Sequence, residues 1–125
     1  SKMKYTMKRI HEFDPVIYPR LLWIAVNPKK EVLQEYFSDT LDTDALKGKA
    51  VVCVVSKKID NSAGYLVVFN SKKYMDIETI AHEAMHVGLD LFHELDIEYD
   101  GLHQEALAYL IGWVAKCCEQ VKKLK

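Results

Sequence analysis

The stretch AVVCVVSKKIDNSAGYLVVFN, residues 50–70, determines how the rest of the chain is organised. It contains two runs rich in β-forming residues, AVVCVVS (50–56) and AGYLVVFN (63–70), separated by a polar segment with the turn residues Asp60 and Asn61. Two such runs on either side of a short polar turn predict an antiparallel β-hairpin.

Two helices are predicted after this hairpin. The segment IETIAHEAMHVGLDLF follows Asp76, a favourable N-cap residue, and its apolar spacing predicts a helix over about 77–93. A polar loop, 94–101, separates it from the longest predicted helix, which covers 102–123.

Weaker signals precede the hairpin. Loose alternation over 5–13 predicts a strand, and the short apolar run 20–27 favours a buried strand over a helix. Asn27 and Pro28 then predict the N-cap and first residue of a helix over KKEVLQEYF, followed by a polar loop at 38–49.

The order of these elements, strands first and two helices last, predicts an α+β fold with a small, mostly antiparallel sheet packed against both helices. A chain of 125 residues is expected to form one domain, 1–125. Its net charge of −1 argues against nucleic acid binding, and no apolar run reaches the roughly 18 residues of a membrane span. The three cysteines do not suggest a disulfide framework, which favours a reducing, cytoplasmic compartment. Composition does not indicate the oligomeric state.

His82, Glu83 and His86 form the pattern H-E-x-x-H within the predicted helix. Residues four apart share a helix face, so two imidazoles can bind one Zn²⁺ at distances of about 2.0–2.1 Å. Glu83, turned about 100° around the helix, is poorly placed as a ligand but can reach a water beside the metal. We therefore expect one Zn²⁺ per chain.

The third ligand is less obvious from the sequence. The metzincin pattern requires glycine and histidine where this chain has Leu89 and Phe92, so that class is excluded. Asp90 lies about 12 Å along the helix from His82, too far to share its metal, and is predicted to hold the ring of His86 instead.

Glu105 is the preferred third ligand. It lies among apolar residues early in the last predicted helix, where a buried carboxylate usually has a metal or charged partner. His103 is the alternative.

The sequence HEAMH at 82–86, followed by EALAY at 105–109, resembles the gluzincin metallopeptidases. It is most similar to minimal, single-domain members, including small metallopeptidase-like proteins encoded by phages and mobile elements. The resemblance covers about residues 50–116, and it implies His82, His86 and Glu105 as zinc ligands and Glu83 as general base. The large C-terminal domain of full-size gluzincins, which completes the substrate cleft, is missing from this sequence.

The resemblance implies hydrolysis of a peptide bond in a protein or peptide, with a water activated by zinc and deprotonated by Glu83. Tyr109 is the first candidate for a donor to the oxyanion, with Tyr99 and His103 as others. An extended substrate is expected to add to an exposed edge of strand 63–70. The alternatives are a zinc-binding regulatory or interaction module without turnover, and a hydrolase of non-peptide amides.

Overall fold

Five strands form one mixed sheet in the computed structural model, which describes residues 3–7, 10–39, 41 and 45–124. The strands are β1 (Met3–Met7), β2 (Ile10–Phe13), β3 (Leu21–Val26), β4 (Ala50–Ser56) and β5 (Ala63–Phe69). Their spatial order is β1-β2-β3-β5-β4. β3 and β5 are parallel, and the other neighbouring strands are antiparallel, so β4 forms one edge of the sheet and β5 is internal.

Helices cover both faces of this sheet, which confirms the α+β class. The helices are α1 (Lys30–Tyr36), α2 (Ile77–Glu94) and α3 (Glu105–Lys122), with short 3-10 turns at Ala45–Lys47 and Lys72–Tyr74. α1 packs in the core on one face, whereas α2 and α3 pack together on the other. No helix in the described part of the chain has the length and hydrophobicity that a membrane span requires.

The two cores follow from the alternation of side chains along the internal strands. In β3, Leu22 and Ile24 face α2 and α3, whereas Trp23 and Ala25 face α1. β5 alternates in the same way and is buried from Gly64 to Phe69. A buried apolar surface on both faces explains why these two runs contain almost no polar residues.

The predicted hairpin is confirmed, with β4 and β5 in register from Ala50 opposite Phe69 to Ser56 opposite Ala63. α2 is also confirmed, because it begins after Asp76, whose Oδ1 accepts a hydrogen bond from the Thr79 N–H at 2.8 Å.

The far end of α2 is tied to the sheet. The Tyr65 hydroxyl in β5 donates a hydrogen bond to Glu94, and the Arg20 Nε lies 3.5 Å from the same carboxylate oxygen. These contacts hold α2 alongside the sheet.

The prediction of a single strand over 5–13 is wrong. β1 and β2 are two strands that pair antiparallel, with Met3 opposite Phe13 and an irregular register between Tyr5 and Met7. Residues 8 and 9 lie outside the described residues. The loose alternation indicated extended backbone but contained no glycine, proline or asparagine that would have indicated a turn.

The predicted helix start at Asn27 is also wrong. α1 begins at Lys30, and its N-cap residue, Lys29, makes no capping hydrogen bond through its side chain. Asn27 instead adopts a left-handed conformation with φ 48°, and its N–H donates to the carbonyl of Phe69 at 2.7 Å. Asparagine tolerates this conformation, so it turns the chain out of the sheet before the helix begins.

The last helix begins at Glu105 rather than at 102. Asp100 Oδ1 accepts hydrogen bonds from the N–H groups of Leu102 and His103, at 2.8 and 3.0 Å, which keeps these residues in a turn. The predicted loop at 38–49 includes residues 40 and 42–44, which lie outside the described residues.

Candidate metal centre

His82 and His86 project from one exposed face of α2. Their Nε2 atoms are 3.2 Å apart, and the side chain of His82 is 67% exposed. Two nitrogens that bind one Zn²⁺ at tetrahedral angles lie roughly 3.3 Å apart. The histidines are therefore already spaced to share a metal ion.

The same distance permits a hydrogen bond between the rings, in which one neutral imidazole donates to the other. Two protonated rings have only donors and would repel each other at this separation. Metal binding requires both rings to be neutral.

Glu83, next to His82 in the sequence, is buried and only 5% exposed. Its Oε1 lies 3.9 Å from His82 Nε2, while its Oε2 is buried with no hydrogen-bond partner. Burial raises the pKa of Glu83, and the two neighbouring histidines act in the opposite direction. A buried carboxylate oxygen without a partner is unfavourable for folding, and groups of this kind concentrate at functional sites.

The neighbours of Glu83 come from both flanking elements. Burial raises the pKa of Cys53 in β4, and the charge of Glu83 raises it further. In α3, the pKa of Cys118 is raised by burial, by Cys117 and by Glu83. The carboxylate thus lies within electrostatic range of the edge strand on one side and of α3 on the other.

Asp90 is half-buried one turn beyond His86. Burial raises its pKa, and the charge of His86 acts in the opposite direction. The two side chains are close enough to interact, but no hydrogen bond joins them among the described residues. The predicted role of Asp90 in orienting His86 stays a prediction.

Glu105 is the first residue of α3 and is exposed. The burial that singled out Glu105 in the sequence is absent, because the turn stabilised by Asp100 leaves this end of α3 in solvent. Within the described chain, no third His, Cys, Asp or Glu joins His82 and His86 in a group that could hold a metal ion. The role of Glu105 as third ligand therefore stays a prediction.

The alternative ligand, His103, is also exposed. Its Nδ1 lies 3.0 Å from Asp100 Oδ1, so the ring is paired within its own turn.

Among the described residues, no hydrogen bond or ring contact joins the predicted oxyanion donors to His82 or His86, and their role stays a prediction. Tyr109 is 76% exposed and lines an apolar groove with Ile17, Tyr18 and Trp113, a groove that does not include the metal-binding motif. Tyr99 packs edge-to-face on Phe92, with ring centroids 6.0 Å apart.

The expected addition of a substrate to strand 63–70 is wrong. β5 is paired with β3 on one side and β4 on the other, so neither of its edges is free. The hairpin pattern in the sequence predicts that two strands pair with each other, but it does not show which of the two pairs with a further strand. The edge strand beside α2 is β4.

The sequence predicted a buried carboxylate at Glu105, whereas the structure buries the carboxylate of Glu83 and exposes that of Glu105. A local signal was present, because Ile80 and Val87, three residues before and four after Glu83, are both buried core residues. Positions i−3 and i+4 share a helix face with residue i, so Glu83 lies within the apolar stripe of α2.

Imidazole nitrogens are ligands that Zn²⁺ favours, but among the described residues the two histidines are not joined by the third protein ligand that a zinc site needs. No protein family model, curated protein or solved structure matches this chain.

Proposed function

We propose that this protein is a zinc-dependent metallopeptidase of gluzincin type that hydrolyses a peptide bond in a protein or peptide substrate. The observation that supports the proposal most strongly is the geometry of α2. His82 and His86 present nitrogens 3.2 Å apart, and the carboxylate between them in the sequence is buried without a partner for Oε2. An ordinary solvated helix face explains the two histidines but not the buried Glu83.

His82 and His86 would hold the metal, with Glu105 as the proposed third ligand. Glu105 is exposed and no ion pair ties it down among the described residues, so its side chain is free to change rotamer when a metal is present. Three protein ligands leave one position open for water or substrate, as hydrolytic zinc sites require.

Zn²⁺ at this site would lower the pKa of water towards about 7 and polarise the scissile carbonyl. Glu83 would accept the proton of the attacking water and deliver it to the leaving amine. Burial favours the protonated form of Glu83, which helps the side chain hold the proton between these two steps. The role of Tyr109 as a donor to the oxyanion stays a prediction.

β4 offers a place for an extended substrate beside α2. Among the described residues, those just after α1 bind the last part of β4, where Ser38 N–H donates to the Ser56 carbonyl at 2.9 Å, and the turn at Ala45–Lys47 also contacts this strand. A substrate strand would pair with the outer edge of β4 over residues 50–55. We also propose a cytoplasmic location, in keeping with three free cysteines.

The second candidate is a zinc-binding regulatory or interaction module on the same scaffold. The strong exposure of His82 favours it, because a hydrolytic site is usually shielded from bulk water. Both candidates use the same ligands and differ in their requirement for Glu83.

Zinc content tests the metal centre. We expect about one zinc per chain in protein purified without added metal, loss in His86→Ala, and strong weakening in Glu105→Ala. Glu98→Ala removes another exposed glutamate and should leave zinc unchanged. The absence of zinc in the wild type after reconstitution would reject the proposal, and retention by Glu105→Ala would redirect the search to His103.

Cleavage of a peptide library tests catalysis separately. Glu83→Gln should retain zinc and lose activity by a factor of about 10² or more. A zinc-loaded wild type that cuts no peptide, or that cuts as fast as Glu83→Gln, would favour the binding module.

A further inference from the structure

A second polar site lies at the end of the sheet where β4 stops and β3 and β5 begin. Lys57 Nζ lies 2.9 Å from Glu12 Oε1, and each residue is only 9% exposed. Trp23 Nε1 donates a hydrogen bond to the same oxygen at 3.0 Å. Buried ion pairs contribute little to stability compared with well-packed apolar groups, so stability alone does not explain this pair.

This ion pair lines a cavity of about 550 Å³, which we call the ion-pair cavity. The volume falls within the range of roughly 300–1,000 Å³ that small-molecule sites occupy. Its apolar wall includes Val16, Tyr18 and Leu21, and Asp14, Arg20 and Asp60 complete its charged lining. The metal-binding residues of α2 are not part of this lining.

Both cations of the cavity already have carboxylate partners. Lys57 pairs with Glu12 and, at 3.5 Å, with Asp60. Arg20 lies 3.5 Å from Glu94, which is outside the lining and balances its charge, although the buried Nε of Arg20 makes no hydrogen bond. Neither cation therefore leaves an uncompensated positive charge for an anionic ligand. An anion entering the cavity would in addition meet the charges of three carboxylates.

The negative charge is only partly compensated. Asp14 uses Oδ1 to accept the Val16 N–H at 2.8 Å, and no cation among the described residues pairs with it. The hydrogen bonds to Glu12 all use Oε1, which leaves Oε2 without a partner in the described chain. The unused polar atoms of the lining thus include two carboxylate oxygens from different segments of the chain.

We propose that the ion-pair cavity binds a primary alkylammonium ion, either a free amine or the lysine side chain of a peptide. The ammonium group would donate charge-assisted hydrogen bonds to Glu12 and Asp14. Its methylene chain would lie against Val16, Tyr18 and Leu21, as lysine stems do on apolar surfaces. This site is independent of the metal centre and of the proposed peptidase activity.

The indole N–H resonance of Trp23 reports on the cavity, because its acceptor is Glu12. Titration with n-butylammonium chloride should shift this resonance saturably. Tetramethylammonium has the same charge but no N–H donor and should produce no saturable shift. Asp14→Asn keeps an oxygen for the Val16 N–H but removes the charge, and it should weaken binding about tenfold. The matched control is Asp96→Asn, at an exposed aspartate with φ 56°, a conformation that asparagine tolerates.

The outcomes are distinct. A saturable shift that Asp14→Asn weakens and Asp96→Asn does not would support the site. No saturable shift with butylammonium, an equal response in Asp14→Asn, or a saturable shift with acetate would overturn it. Two further titrations distinguish a free amine from the lysine side chain of a peptide. Tighter binding of 1,5-diaminopentane would indicate a free amine as the ligand, and tighter binding of Nα-acetyl-lysine methylamide would indicate a lysine side chain.

Discussion

Gly88 in α2 lies directly against Ile111 in α3. A Cβ atom built at residue 88 would be 2.8 Å from Ile111 Cγ1 and 3.1 Å from Leu107 Cδ1, closer than packed carbon atoms allow. The missing side chain lets α3 approach the helix that carries His82 and His86. The position of the candidate third ligand therefore depends on this contact.

Gly88→Ala should destabilise the fold. Overpacking costs about 1–3 kcal/mol, and a contact of 2.8 Å places this substitution towards the upper part of that range, above the gain of about 1 kcal/mol from replacing glycine by alanine in a helix. Urea unfolding measures the difference. Gly112→Ala is the matched control, because a Cβ there meets nothing within 4 Å, and it should raise the free energy of unfolding. A stabilised Gly88→Ala would contradict the close contact.

Glu83→Gln should stabilise the metal-free protein at pH 7. Burial raises the pKa of Glu83 and one carboxylate oxygen has no partner, so replacing this ionisable group by a neutral amide should raise the free energy of unfolding by roughly 1 kcal/mol. Thermal and urea unfolding in the presence of a chelator measure this change. Glu98→Gln, at an exposed position, should have little effect. A destabilised Glu83→Gln would show that the carboxylate contributes to folding rather than to function.

The Lys57–Glu12 pair should show strong coupling. Burial opposes the charge on Lys57, but its hydrogen bond and charge interaction with Glu12 outweigh burial and raise its pKa. Lys57→Met alone leaves Glu12 buried and charged, at a cost of about 3–5 kcal/mol. Glu12→Gln alone leaves the ammonium group with Asp60, 3.5 Å away, as its remaining charged partner, and should cost less than Lys57→Met.

The double variant should lose much less stability than the sum of the two single changes. The four free energies of unfolding form a complete double-mutant cycle. Additive changes in the free energy of unfolding would show that Lys57 and Glu12 are solvated and do not interact as a buried pair.

Stability should fall in alkaline solution because of Cys117 and Cys118. Burial raises the pKa of each thiol from 9.0 to about 12. The neutral thiols are therefore favoured by the folded state, and their contribution is present below pH 9.0 and lost as the pH rises towards 12. Between pH 8 and 10.5 the expected loss is on the order of 2 kcal/mol per thiol.

Urea unfolding at both pH values measures this loss. The variant with Cys117→Ala and Cys118→Ala should show a shallower pH dependence, although its lysines and tyrosines titrate as before. Parallel pH profiles for the two proteins would mean that these thiols ionise freely in the folded state.

Local signals account for the parts of the fold that the sequence predicted well. Alternating apolar runs and a short turn were sufficient for β4 and β5, and Asp76 marked the start of α2. The wrong predictions concern segments whose conformation depends on contacts with residues distant in the sequence. Asn27 has the properties of an N-cap, but a hydrogen bond to the carbonyl of Phe69 holds it in another conformation.

In the candidate site, too, some features follow from local sequence and others from distant contacts. Helix geometry alone places His82 and His86 on one face, so their spacing could be predicted. The burial of Glu83 results from packing of α2 between β4 and α3, and the exposure of Glu105 from a turn held by Asp100. Neither could be read from short sequence windows.

The position of β4 at the edge of the sheet has a consequence for handling the protein. Its first six residues, AVVCVV, contain no charge and no proline, the two devices that commonly prevent one sheet from joining another. The flanking lysines, Lys49 and Lys57, are the nearest charges in the sequence. Concentrated or partly unfolded preparations should therefore aggregate through this strand, and a lysine at the exposed position Val54 is the substitution we expect to suppress it.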